Sequence, residues 1–226
     1  MCSRTQAAEW IRAGRVSVDG RVVRDPEFPT IAGRHRIAVD DRELDATPEQ
    51  RHYVMLNKPR GLVTTARDEQ GRDTVYRCFD GAGLPWIAPV GRLDKASEGL
   101  LLFSNDPAWA AHVADPATGP DKTYHVQIDR LPDQALLVAL KAGLVDAGEF
   151  LRAKSATLLR AGERNAWLEI VLDAGRNRQI RRMLAAQDIG VLRLIRVSIG
   201  SLALGELAKG AWRPLTATEV AALRGD

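Results

Sequence analysis

A carboxylate, a nearby cation and an apolar run share one short stretch of this chain, GRLDKASEGLLLFSND, from Gly91 to Asp106. Asp94 precedes Leu100 to Phe103, whose unbroken apolar character predicts a strand covered on both faces. A carboxylate mounted just before a rigid strand has its position fixed by packing, as a nucleophile or general base requires. Arg92 is a cation able to keep it ionised at neutral pH, and Gly91 and Gly99 allow the backbone to bend there or to approach a ligand closely. Residue types alone leave the plainer reading open, an Asp that caps a turn and pairs with Arg92. They also leave open a hydrolytic pair of Asp94 with Glu98, although Glu98 reads more simply as a solvent-exposed residue beside Gly99.

Other chemistry-bearing residues are spread along the chain. NKPRG, residues 57 to 61, sets Lys58 and Arg60 on either side of a proline that fixes a turn. KTYHVQI, residues 122 to 128, alternates like a strand, with Tyr124, Val126 and Ile128 on one face and Lys122, Thr123 and His125 partly outward. A lone Tyr on such a face is ordinarily a core residue. GRNRQIRRM, residues 175 to 183, opens a helix with Ile180, Met183 and Leu184 as its apolar stripe and Arg178, Arg181 and Arg182 on the other sides.

Nearer the N-terminus, Ser3 to Ala13 is predicted to be a helix with a Ser3–Gln6 capping box and Gly14 as its stop. A hairpin follows, Val16 and Val18 against Val22 and Val23 across Asp19-Gly20, then a strand near Arg36 to Val39. Residues 45–51 are polar and read as a linker between a unit at 1–44 and a larger one at 52–226. In the larger unit, strands are expected at Tyr53 to Leu56 and Ile87 to Val90, with two or three between Val145 and Val171. Helices are expected at Thr74 to Phe79, Ala108 to Val113 and Leu136 to Leu140.

The net charge of +3 is modest, but it is unevenly placed. Residues 174–196 hold six arginines against Asp188 alone, and residues 1–24 hold five against Glu9 and Asp19. Two such clusters in a balanced protein suggest a polyanion footprint, and arginine suits bidentate contact with phosphate. The two cysteines are far apart and the four histidines have no metal-ligand spacing, so neither a disulfide framework nor a metal is expected. No run approaches the ~20 apolar residues of a membrane span, and a cytoplasmic protein is the expectation.

The blocks GRLDKASEGLLLFSND, NKPRG, KTYHV and GRNRQIRRM, in their order, resemble the RsuA-type pseudouridine synthases that modify ribosomal RNA, and the likeness runs over nearly the whole chain. The resemblance implies an α+β fold: a mixed, mainly antiparallel central sheet with flanking helices. It implies Asp94 as nucleophile, Tyr124 as the residue that stacks on a flipped-out base, and Arg181 as the partner of Asp94. Lys58, Arg60, Arg92, Arg176, Arg178 and Arg182 would line the RNA cleft, with no cofactor. The helix running into GRVSVDGRVV resembles the S4 RNA-binding domain, which implies phosphate contacts from Arg4, Arg12 and Arg15. That family usually has a further helix ahead of the Ser3-Arg4 dipeptide, so either a shortened domain or a start further upstream is expected. The wording of SEGLL and RNRQIRRM leans towards a large-subunit RNA substrate, and the enzyme is expected to act as a monomer. The rival reading is a non-catalytic RNA-binding or ribosome-assembly protein, for which the N-terminal unit alone would suffice.

Overall fold

The computed structural model describes residues 2, 4–31, 33–44, 50–66 and 68–224, and divides the chain into two compact units, Met1–Arg51 and His52–Asp226. The Ser3 half of the expected capping box, and residues 45–49 of the expected linker, lie outside the described residues.

The first unit is a helix and a small sheet. Helix α1 (Arg4–Arg12) leads into strands β1 (Val16–Val18) and β2 (Arg21–Val23), then β3 (Ile37–Val39) and β4 (Arg42–Glu43), in the order β2-β1-β3-β4. Asp19 and Gly20 both have positive φ, 49° and 79°, the geometry that a two-residue turn between right-twisted strands demands.

The second unit is built on one long sheet. Its strands are β5 (Tyr53–Lys58), β6 (Ala88–Val90), β7 (Glu98–Ser104), β8 (Lys122–Ile128), β9 (Leu144–Asp146), β10 (Glu149–Leu151), β11 (Ser155–Ala161), β12 (Ala166–Leu172), β13 (Val191–Ile199), β14 (Leu202–Ala203) and β15 (Trp212–Pro214). Its helices are α2 (Pro107–Ala114), α3 (Gln134–Ala142), α4 (Gln179–Ala185) and α5 (Ala217–Ala222), and a short 3₁₀ helix covers Val75–Phe79. The main path runs β11-β12-β8-β13-β7-β5-β15, with β6 on β7, β14 on β13, and β9 and β10 as a separate hairpin. The pairing is antiparallel throughout this sheet except between β13 and β7, so the sheet is mixed and mainly antiparallel, as expected.

Strand β7 is buried along its whole length. Leu101 and Phe103 enter the apolar cluster on one face of the sheet with Val54, Leu56, Val126 and Ile170. Leu100 and Leu102 enter the other, with Met55, Trp109, Val113 and Ile199. This two-sided burial is why the sequence reads as a continuous apolar run. Gly99 has φ +100°, and a Cβ placed there would stand 2.3 Å from the Arg196 carbonyl oxygen. Of the two roles expected for it, a bend or a close approach to a ligand, neither covers what it does: its close approach is to the neighbouring strand. In α2, Asp106 caps the helix by accepting from Trp109 N, with Pro107 at the first position.

Three expectations are corrected. Strand β5 runs on through Asn57 and Lys58, two residues past the expected end at Leu56, so the turn of NKPRG begins at Pro59. Four strands, not two or three, fill residues 144–172. Helix α4 begins at Gln179, leaving Arg176 and Arg178 in the preceding loop. Among the described residues no helix is long and apolar enough to cross a membrane.

Candidate active site

Asp94 lies in the turn between β6 and β7, and donors from elsewhere in the chain fix the backbone of that turn. Thr64 Oγ1 donates to the Leu93 carbonyl at 2.7 Å and the Gly61 amide to the Lys95 carbonyl at 2.8 Å. Arg181 Nη2 donates to the Ala96 carbonyl at 3.3 Å and Lys58 Nζ to the Ser97 carbonyl at 3.0 Å. The Asp94 carbonyl itself accepts from the Ser97 amide at 2.9 Å. With all these carbonyls engaged, the turn has little freedom and the carboxylate is held in one place.

The Asp94 side chain is 35% exposed, and Arg178 Nη1 donates to its Oδ2 at 3.3 Å. It opens on a cleft of about 330 Å³ walled by Leu93, Tyr124, Leu172, Ile180 and Leu194, with Lys122, Arg176, Arg178, Arg181 and Arg196 set among them. A second, more polar groove of about 400 Å³ runs along residues 63–65 and 68–72 and shares Arg92, Leu93 and Asp94 with the first. An apolar slot lined with cations and closed by a carboxylate suits a flat ring on an anionic backbone.

Tyr124 is 8% exposed and lines the cleft from β8, and its hydroxyl makes no hydrogen bond among the described residues. Arg181 lies in the same wall, yet the ion pair to Asp94 comes from Arg178, in the loop. Arg178 has a left-handed backbone, φ 49° and ψ 30°. Arg181 instead reaches the Ala96 carbonyl, and its Nε is buried without a partner. Burial, then the charge of Arg178, pulls the Arg181 pKa down, while Asp94 opposes the fall.

Lys58 is wholly buried and so does not line an RNA surface: its amine donates to Pro59 and Ser97 carbonyls beneath the turn. Burial lowers its pKa to about 8, against the raising influence of Cys78, Glu98 and Asp94. Arg182 is also spent inside the fold, pairing with Asp146 and Glu149 of the β9–β10 hairpin. Arg176 lines the cleft and pairs with Glu149 at 3.4 Å. Arg60 and Arg92 are exposed, Arg60 near enough for its charge to act on Arg181, and Arg92 between the two grooves.

In the first unit Arg12 is exposed, whereas Arg15 is held by Asp40 and stacks over Trp10 at 5.1 Å. The Arg4 side chain lies outside the described residues. Glu98 is not solvent-exposed: it is 2% exposed and held by Arg193 at 3.0 Å and Lys209 at 2.5 Å. Burial pushes its pKa up, but these bonds more than offset that and hold it below the usual carboxylate range. It is a structural ion cluster and offers no second carboxylate to the cleft.

Sequence reasoning turned Lys122 partly outward, whereas it is 8% exposed, and it missed Arg196 and Thr64. The period of two along β8 is the signal that would have put Lys122 on the face of Tyr124, since both positions are buried.

The sequence profile described as RNA pseudouridylate synthase matches residues 52–186. The chain belongs to the RNA pseudouridine synthases. The S4 domain profile matches residues 1–29. Ribosomal large subunit pseudouridine synthase B of Bacillus subtilis is 35% identical over 99% of this chain and 91% of its own length. Ribosomal small subunit pseudouridine synthase A of Pseudomonas aeruginosa is 37% identical over 96% and 93%. A crystal structure of a pseudouridylate synthase superposes with a TM-score of 0.70, 32% identity and coverage of 98% of this chain and 94% of that one. These likenesses span both units of the synthase.

Proposed function

We propose that this synthase converts a uridine of ribosomal RNA, in the large subunit, to pseudouridine, with Asp94 as the nucleophile. The observation that carries the reading is the Asp94 turn, whose carbonyls are fixed by four donors, three from residues 58–64 and one from Arg181, at the mouth of an apolar, arginine-lined cleft. A non-catalytic RNA-binding protein has no need of so rigid a carboxylate.

Uridine in folded RNA is stacked, so the base must be turned out of the helix at a cost of about a few kcal/mol. Stacking on Tyr124 offsets roughly 1–3 kcal/mol of that, and phosphate contacts from Arg178, Arg176, Arg60 and Arg92 supply the rest. Asp94 then attacks the sugar carbon as the bond to the ring nitrogen breaks, with Arg178 paired to its carboxylate and Arg181 holding its turn, and the ring rejoins through carbon. The reaction is an isomerisation and needs no redox partner, and its substrate puts the enzyme in the cytoplasm.

The test is tritium release from ribosomal RNA carrying ring-labelled uridine. Asp94→Ala is expected to slow release by roughly 10⁴-fold or more, and persistent release would remove Asp94 as nucleophile. Carbodiimide-dependent reverse-transcription stops, with and without the gene, identify the uridine and the subunit.

A further inference from the structure

Lys122 and Arg196 are buried cations in the wall of the cleft, 8% and 5% exposed, and neither has a carboxylate bonded to it among the described residues. Asp121, the sequence neighbour of Lys122, is instead paired with Lys154 at 2.6 Å. Arg196 Nε donates to the Leu100 carbonyl at 2.7 Å, while its Nη2 is buried with no partner. Arg196 stands directly across from Tyr124 in the β13–β8 pairing, and Lys122 is two residues before Tyr124, so all three side chains belong to one face of the sheet. Burial and the like charge of Arg196 both lower the pKa of Lys122. Two unpaired cations side by side in a dry wall are costly unless an anion comes to them.

The acids whose charge bears on Lys122 are Asp121, Asp115 and Asp173, whereas Asp94 bears on Lys58 and Arg181. Lys122, Tyr124 and Asp94 all line the one cleft, Lys122 buried at 8% exposure and the Asp94 side chain 35% exposed. A phosphodiester is permanently charged and strongly hydrated, and it fits the exposed arginines at the mouth better than this buried wall. A flat ring that becomes anionic only during reaction fits the buried wall.

We propose that Lys122, backed by Arg196, is a catalytic residue that takes up the negative charge of the uracil ring when its bond to the ribose breaks. This rests on the pseudouridine reading above. The C1′–N1 bond breaks with its electron pair left on the ring, giving a uracil anion with charge spread over its nitrogens and carbonyl oxygens, while C1′ bonds to an Asp94 oxygen. Lys122 donates a hydrogen bond to the ring edge and Arg196 stabilises the charge from behind. C5 then attacks C1′, Asp94 leaves as carboxylate, the C5 proton is lost and N1 gains one. Atoms and charge balance without any further reactant.

The test compares single-turnover rates on RNA containing uridine and the same RNA containing 5-fluorouridine, followed as loss of the parent nucleoside, with RNA affinity measured separately. Fluorine stabilises the ring anion by itself. Lys122→Met is expected to lose on the order of 100-fold in rate on uridine RNA, to keep its RNA affinity, and to lose much less on the fluorinated RNA. Lys122→Arg, which keeps the cation, is expected to retain most of the rate. Equal losses on the two RNAs, or a loss confined to affinity, would overturn the proposal, the second pointing to a phosphate contact. Lys122→Gln carries the same comparison if the Met variant does not fold. Wild-type enzyme that forms no pseudouridine in any ribosomal RNA would instead sink the reading on which this one rests.

Discussion

Lys58 shows how a single buried cation can serve a site without touching its substrate. Its amine joins the Pro59 carbonyl at the end of β5 to the Ser97 carbonyl at the end of the Asp94 turn, each at 3.0 Å. A neutral amine still has two hydrogens for those bonds, so loss of the proton leaves the clamp intact. Since burial lowers the folded-state pKa to about 8 from 10.5, the unfolded chain binds more protons between those values, and stability rises with pH across that window. Relative to Lys58→Met, the wild-type protein is expected to gain on the order of 2–3 kcal/mol in unfolding free energy from about pH 8 to 10.5. Urea unfolding at a series of pH values measures this, and a difference independent of pH would mean that burial leaves the Lys58 pKa where it stands in the unfolded chain.

At the scale of elements, the site depends on how closely β7 and β13 approach. Gly99 pairs with Arg196 in the only parallel pairing of the long sheet, among the described residues, and it combines a positive φ with a Cβ position already filled by backbone. Gly99→Ala is expected to cost on the order of 3 kcal/mol through strain and overpacking together, and to shift both Arg196 and the turn that ends at Ser97. Thermal unfolding and single-turnover rate should therefore fall together. Gly91→Ala offers the contrast, for a Cβ there meets no atom within 4 Å and only its φ of +73° is strained.

For the whole molecule, RNA affinity and chemistry are expected to separate. Arg12 belongs to the S4-type unit and is exposed, whereas every group argued to act on the base belongs to the other unit. If Arg12 meets a phosphate, Arg12→Gln lowers the slope of log affinity against log salt by about 1. It leaves the rate at saturating RNA unchanged. Binding titrations at several salt concentrations, paired with single-turnover rates, read both quantities, and a changed rate would place Arg12 in the chemistry instead.

The amino-acid order alone determined the blocks and their sequence: a carboxylate before a fully apolar strand, a Tyr on an alternating strand, an arginine-rich loop entering a helix, and a helix followed by an Asp-Gly hairpin. These are local patterns with periods of two or 3.6 residues, and each is written within a few neighbouring positions. Tertiary structure alone decided which cations are available. Lys58, Arg15 and Arg182 read like Arg178 in the chain, but the first is sealed under a turn and the other two are tied to acids 25 and at most 36 residues away, while Arg178 faces Asp94. Glu98 was misread for the same reason, since its partners Arg193 and Lys209 come from distant strands and loops. Burial and ion pairing are properties of packed neighbours, and residues far apart in sequence become neighbours only when the sheet closes.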